Sequence, residues 1–355
     1  MKTKLNSRQI AIVLSGGGVR AMMFHLGVLR YLANAQALES VNRISTVSGG
    51  SLLVGLILKE CDYRWPNSDE FLAKVYPALR KKLCAKSLQW GAARQLLRPW
   101  NWRYLLSRSN LLAKALRDEW GVTAKLSSLA GTPEWSINGT TAETGRRFRF
   151  KHNSLGDYML GYAIPGDFPL ANAMAVSAAF PGGFGPLSLD MEDFEWSKRP
   201  EWNSPPESAQ ATKIGYRRLH LYDGGVYDNL GMEPFFDAGR AIPKPGVEFI
   251  LVSDAGAPLT PGFSHFSLNP WRLKRVADIM SDQARALRVR TFMNYLNQDA
   301  TRGAYVYIGI PAAKLCANGT QPADFPTTLR RVTTEEFDRI ANHGFAVTCA
   351  SQELS

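Results

Sequence analysis

The chain has 355 residues, 45% of them apolar and 21% charged, and a formal net charge of +11. That length and apolar share suffice to bury one large core or two modest ones, which excludes a disordered or low-complexity chain. Four cysteines, Cys61, Cys84, Cys316 and Cys349, lack paired metal-ligand spacing, so they read as free thiols rather than a zinc site or a disulfide framework.

Residues 1–8 are basic, but only five apolar residues follow before the first glycines. This is too short for the apolar region of a signal peptide or for a membrane span, so the cytoplasm is the expected location. Residues 9–14 read as a buried strand, followed by the turn Ser15-Gly16-Gly17-Gly18-Val19-Arg20 and an all-round apolar helix over 21–34. A second unit repeats the pattern. Arg43-Ile44-Ser45 leads into Thr46-Val47-Ser48-Gly49-Gly50 and a helix over 51–60. The first turn presents bare N–H groups at a helix N-terminus, suited to a developing negative charge, and the second raises the Ser48 hydroxyl on a strand-to-helix elbow.

Residues 71–117 contain no Asp or Glu but eleven Lys and Arg, among them Arg94, Arg98 and Arg103. Trp90, Trp100, Trp102, Tyr104 and several leucines are interleaved with them. Basic residues with indoles suit an anionic lipid surface, where each cation is worth about 1 kcal/mol. A helical insertion with a merely solvated basic face is the bland alternative. No nucleic-acid reader motif accompanies the charge, so a nucleic-acid partner is not expected.

Further strands are expected at 135–137 with 148–150, at 219–222, at 249–253 and at 304–308. Strands alternating with helices imply a mainly parallel sheet with helices on both faces, an α/β class. Residues 61–130 and 187–215 read as excursions from it. Asn138-Gly139-Thr140 and Asn318-Gly319-Thr320 match glycosylation acceptors and read as ordinary turns.

The triple glycine also opens dinucleotide-binding folds, but Ala21 stands where the third fingerprint glycine belongs, and no Gly-Lys-Ser/Thr makes a phosphate loop. A nucleophilic serine needs a base. Of the five histidines, His25 reads as a core residue and His220 points away from Asp223, three residues along the same strand. Asp223 ends that strand and enters Gly224-Gly225, which would expose its carboxylate above the sheet; it is the best base candidate, with an Asp-Gly turn as the plain alternative. A base assisted by His265 or His343 stays open, as does a non-catalytic scaffold at a membrane surface.

Taken together these residues resemble the patatin-like phospholipases. Gly16-Gly17-Gly18-Val19-Arg20 resembles that family's oxyanion loop, Ser48 its elbow serine and Asp223-Gly224-Gly225 its Asp-Gly-Gly motif. Ala175-Val176-Ser177-Ala178-Ala179-Phe180-Pro181 and Asp228-Asn229-Leu230-Gly231 agree as well, while Ser15, Ala21 and Thr46 depart from the usual pattern. The resemblance covers roughly residues 8–260, with 61–130 as an insertion and 261–355 as a helix and strand extension packed on the core. It implies a three-layer α/β/α fold and a serine lipid acyl hydrolase; nothing in the sequence suggests a calcium loop, so no metal or other cofactor is expected. Ser48 would be the nucleophile and Asp223 its base, with Gly17, Gly18 and Arg20 forming the oxyanion hole and Gly16, Gly50, Gly224 and Gly225 supporting the motifs. Arg20 has an equal alternative as a salt-bridge partner that fixes the loop. Desolvation is expected to raise the Asp223 pKa. The partner would be a phospholipid surface, met through Arg94, Arg98, Trp100, Trp102 and Arg103, with the protein peripheral at the inner membrane face.

Overall fold

The computed structural model describes residues 8–105, 107–180, 185–201, 204–259, 261–263, 271–311 and 322–351. Pro181, His265, Cys316 and the acceptor at Asn318 lie outside them.

Strand β1 (Ile10–Leu14) is buried at all five positions, because parallel neighbours flank it and helical layers cover both faces. One neighbour is β2 (Val41–Thr46), which pairs in parallel with β3 (Glu134–Thr141). On the other side lie Phe249–Asp254 and then Gly303–Tyr307, both parallel. Residues beyond 261 therefore supply a strand of the same sheet. Two apolar cores confirm the three layers. Ile10, Ile12 and Leu14 join the core of one face, whereas Ala11 and Val13 join Leu230, Phe236, Ile250, Phe292 and Leu296 on the other.

Helix α1 (Gly18–Asn34) runs back under the first face and is buried along nearly its whole length. The C-terminal helix Thr334–Cys349 lies against it so closely that a Cβ on Gly27 would stand 2.0 Å from Ala341 O, and one on Gly344 2.2 Å from Phe24 O. Helix α2 (Gly49–Glu60) and the helix Leu170–Ser177 complete that layer. Helix Trp271–Gln298 covers the opposite face.

Beyond β3 the sheet turns antiparallel, through Arg146–Phe150, Leu155–Asp157, Gly161–Ala163, Trp196–Lys198 and Gln210–Ala211. Two expectations change here. Residues 187–215 are no excursion, because Leu187–Asp190 and Trp196–Lys198 are sheet strands. Asn138-Gly139-Thr140 is no turn but the buried second half of β3, hydrogen-bonded to Arg147–Arg149 on its far edge.

Residues 61–130 form short helices, including Tyr76–Ala85, Leu88–Arg94 and Arg108–Asp118. Leu111 and Leu112 anchor them in the core, while Trp90, Leu97, Trp100, Trp102 and Leu105 stand more than half exposed. The acid-free stretch is less positive than its sequence suggests. Lys74, Arg80, Lys82, Arg94, Arg98 and Arg117 pair with Glu70, Asp338, Glu60, Glu119, Asp118 and Asp118 in turn. Among the described residues no helix is long and apolar enough to cross a membrane.

Candidate active site

Both glycine turns leave the C-terminal ends of adjacent parallel strands, β1 and β2, so they meet above the sheet. Ser48 is the elbow between β2 and α2, with φ 51° and ψ −117°, a backbone conformation a non-glycine residue holds only when its surroundings impose it. Packing does so here. A Cβ on Gly50 would fall 2.5 Å from Leu14 O, so the helix starts against the β1 backbone and only glycine fits. Thr46, two places before the serine, meets no such crowding, because its side chain points at Trp135 and Ser51.

A chain of side-chain hydrogen bonds sits under the elbow. Trp135 Nε1 can only donate, and does so to Thr46 Oγ1 at 2.9 Å; Asn138 O can only accept, and does so from Ser177 Oγ at 2.7 Å. The two bonds between these ends, Thr46 to Ser51 at 2.7 Å and Ser51 to Ser177 at 2.8 Å, are thereby given their direction. Ser177 Oγ keeps a lone pair for the Ser48 amide at 3.0 Å. None of these partners was singled out from sequence for such a role, since a serine in an alanine-rich helix carries no signal of what it faces.

Asp223 reaches Ser48 by a route that sequence order hides. Strand β2 stops at Thr46, opposite Ile137, and the edge of β3 it vacates is taken from Gly139 onward by Arg218–Asp223, running antiparallel. The C-terminal residue of that strand thus meets the C-terminal end of β2 head-on. Asp223 is 2% exposed, so its carboxylate is enclosed rather than raised into solvent as the turn chemistry suggested. Burial pushes its pKa up to about 7, opposed by the Gly225 amide and by the nearby Ser48 side chain, which both favour the ionised form. The Gly225 N–H lies 2.7 Å from Oδ1. His220 faces the other way and pairs with Glu143 at 2.6 Å.

The first turn lies alongside. Gly17 and Gly18 have φ of +145° and +61°. The flanking amides are spent, Gly16 N on Asn229 O at 3.0 Å and Val19 N on Thr328 O at 2.9 Å. Among the described residues the Gly17 and Gly18 amides donate to no protein acceptor. A Cβ on Gly16 would lie 3.2 Å from the Ser48 Cβ and 2.3 Å from Asn229 Oδ1, so the loop, Ser48 and the turn after Asp223 are packed together through Asn229. Asp228 fixes that turn by accepting from Leu230 N and Met232 N.

Arg20 is buried and donates to Ala255 O and Phe325 O at 3.1 and 2.5 Å. Burial lowers its pKa to about 10. Of its two sequence-level roles, these bonds match loop fixing, with carbonyls rather than a carboxylate as partners. Ala255 is in turn held by Ser15 Oγ at 2.8 Å. The histidines are engaged elsewhere. His25 bonds Ser253 Oγ and Ser15 O, its pKa lowered by burial to about 4, and His343 bonds Ile308 O.

The sequence model of the family described as Patatin-like phospholipase matches residues 12–236. No curated protein matches the chain. Among solved structures it is similar to human GIVD cytosolic phospholipase A2, with a TM-score of 0.56 and 16% identity over 96% of this chain and 61% of that one. It is also similar to that phospholipase in complex with methyl gamma-linolenyl fluorophosphonate, with a TM-score of 0.52 and 14% identity over 97% of this chain and 57% of that one. The chain thus spans about three-fifths of the length of the structures it matches, and at these identities the likeness is one of fold. The family match runs from within β1 through both glycine turns to the residues beyond Asp223, so on sequence the chain belongs to the patatin-like phospholipase family.

Proposed function

We propose that the protein is a serine lipid acyl hydrolase that cleaves fatty-acyl esters of phospholipids through a Ser48–Asp223 dyad. The observation that carries this reading is an enclosed aspartate of pKa about 7 beside a serine on a strained elbow. An ordinary carboxylate, with a pKa about 4, is a feeble base for a hydroxyl; burial brings Asp223 to the working range.

In the first half-reaction Asp223 takes the Ser48 proton as Oγ attacks the ester carbonyl carbon. The Gly17 and Gly18 amides receive the charge that develops on the carbonyl oxygen. The carbon–oxygen bond to the glycerol then breaks, the alkoxide leaves with the proton from Asp223, and the acyl group stays on Ser48. Water, deprotonated by Asp223, attacks that ester and frees the fatty acid, and the proton returns to Ser48.

The surface carrying Trp90, Leu97, Trp100, Trp102 and Leu105 is the proposed contact with lipid, with the exposed Arg94, Arg98 and Arg103 interleaved in sequence. Because Arg94 and Arg98 already have carboxylate partners, the indoles and leucines supply most of this contact. The protein would then act as a peripheral enzyme at the inner membrane face.

The test is fatty-acid release from anionic phospholipid vesicles by wild type, Ser48→Ala and Asp223→Ala, with folding of each checked by circular dichroism. Loss of release in both variants supports the dyad. Release retained by Ser48→Ala discards the nucleophile, and vesicle binding without any turnover favours the scaffold. A fluorophosphonate adduct on Ser48, absent from Asp223→Ala, would tie reactivity to the base.

A further inference from the structure

The antiparallel half of the sheet carries a cluster of cations that nothing in the hydrolytic mechanism uses. Along Arg146–Phe150, Phe148 and Phe150 are wholly buried on one face, which sends Arg147 and Arg149 to the other. Arg147 has a side chain only 12% exposed; its Nη1 donates to Asn138 Oδ1 at 3.0 Å, but its Nε is buried with no acceptor. Arg149 lies with its guanidinium 4.0 Å over the Tyr162 ring, and its Nε is likewise buried without an acceptor. Lys244, whose amide bonds Phe235 O, is close enough to feel both arginines.

The nearby carboxylates balance these charges only in part. Glu134 is taken by Lys151, and Asp237 lies 4.0 Å from Arg240 and also acts on Lys244. Glu233 remains, 4.0 Å from Arg147 Nε and also within reach of the Tyr227 hydroxyl. Burial and the neighbouring arginines hold the Lys244 pKa below the usual lysine value, and burial does the same to Arg149. Half-desolvated like charges beside donors without acceptors are a costly arrangement, and an anion that accepts from all of them relieves each cost at once.

We infer that Arg147, Arg149 and Lys244 form a binding site for a phosphate monoester, with none of the three in the Ser48–Asp223 pair. A phosphate monoester carries close to two negative charges and three acceptor oxygens, which match two guanidinium groups and an ammonium; a single carboxylate would leave one of the three without a partner. The phosphate can come free in solution or on a lipid headgroup, and the site reads the group common to both.

The experiment titrates the full chain with inorganic phosphate and with glycerol 3-phosphate, the headgroup without acyl chains, at ionic strength matched with chloride. Calorimetry and thermal unfolding are followed together. Wild type should bind both saturably; tighter binding of glycerol 3-phosphate assigns the site to a headgroup, and equal binding assigns it to the phosphate alone. Arg149→Gln and Lys244→Gln should each weaken binding by roughly tenfold to a hundredfold, the worth of one charged hydrogen bond. In chloride without phosphate, Lys244→Gln should melt above wild type, because like-charge crowding is relieved. Absence of saturable binding by wild type, unchanged affinity in Lys244→Gln, or a Lys244→Gln melting point below wild type in chloride would each overturn the site. No readout involves ester hydrolysis, so the result is independent of the proposed reaction.

Discussion

The backbone amide of Ser48 donates to the hydroxyl of Ser177 at 3.0 Å across 129 residues of sequence. The elbow is thus held from outside its own turn, and the same hydroxyl donates to Asn138 O, the carbonyl against which Gly224 packs. Ser177→Ala would leave the Ser48 amide, the Ser51 hydroxyl and the Asn138 carbonyl each short of a partner. It should cost about 1–3 kcal/mol of stability in urea unfolding. It should also lower kcat more than it raises KM, because it loosens the proposed nucleophile and lies outside the proposed substrate contacts.

The enclosure of Asp223 gives a pH signature with a definite sign. Its folded pKa of about 7 is above the ordinary 3.8. Below the ordinary value the carboxyl is protonated in both states and contributes nothing. Between the two values the folded chain holds a proton that the unfolded chain has lost, so stability falls as pH rises, by at most about 1.4 kcal/mol per unit. Above the folded value the penalty is complete. Asp223→Asn should therefore be more stable than wild type at alkaline pH by a few kcal/mol. The advantage should vanish near the ordinary value, and hydrolysis should be lost at every pH. Wild-type kcat/KM should rise with pH through an inflection near the folded pKa.

Both glycine turns were legible in sequence; the first follows an apolar run that has few other readings, whereas of the mixed strand Val41–Thr46 only the part 43–45 was read. Leu187–Asp190 and Trp196–Lys198 were not: strands of three or four residues with charged ends carry too little periodicity to register. The desolvation of Asp223 was expected on the chemistry a serine's base requires, but not the way it arises. It follows from two strands sharing one edge of β3, a tertiary arrangement with no local signature. The basic stretch misled in the same way, since some of the acids that pair with it, Glu60 and Asp338 among them, are distant in the chain.

Gly18 is the position where the first turn tolerates least. Its φ is +61°, and a Cβ would stand 2.4 Å from Thr328 O, a backbone atom already bonded to the Val19 amide. Gly18→Ala should destabilise by roughly 2–4 kcal/mol and, by tilting a proposed oxyanion donor, lower kcat about a hundredfold or more. Gly215, with nothing within 4 Å of its Cβ position, is the control; Gly215→Ala should stay within about 0.5 kcal/mol of wild type.

The exposed indoles give a prediction that separates apolar from electrostatic attachment. Trp100 and Trp102 are about two-thirds exposed, and six of the eleven cations in the surrounding stretch are already paired with carboxylates. If lipid contact rests on the rings, the double variant Trp100→Ser, Trp102→Ser should lose at least about tenfold in vesicle partitioning, measured by co-sedimentation. Raising the salt to about 0.5 M, where the Debye length is only a few ångströms, should reduce wild-type binding by less than the double substitution does. Turnover of a soluble short-chain ester should be unchanged in the variant, since neither tryptophan belongs to the Ser48 site. Binding that disappears in salt and survives the double substitution would move the attachment to the unpaired cations.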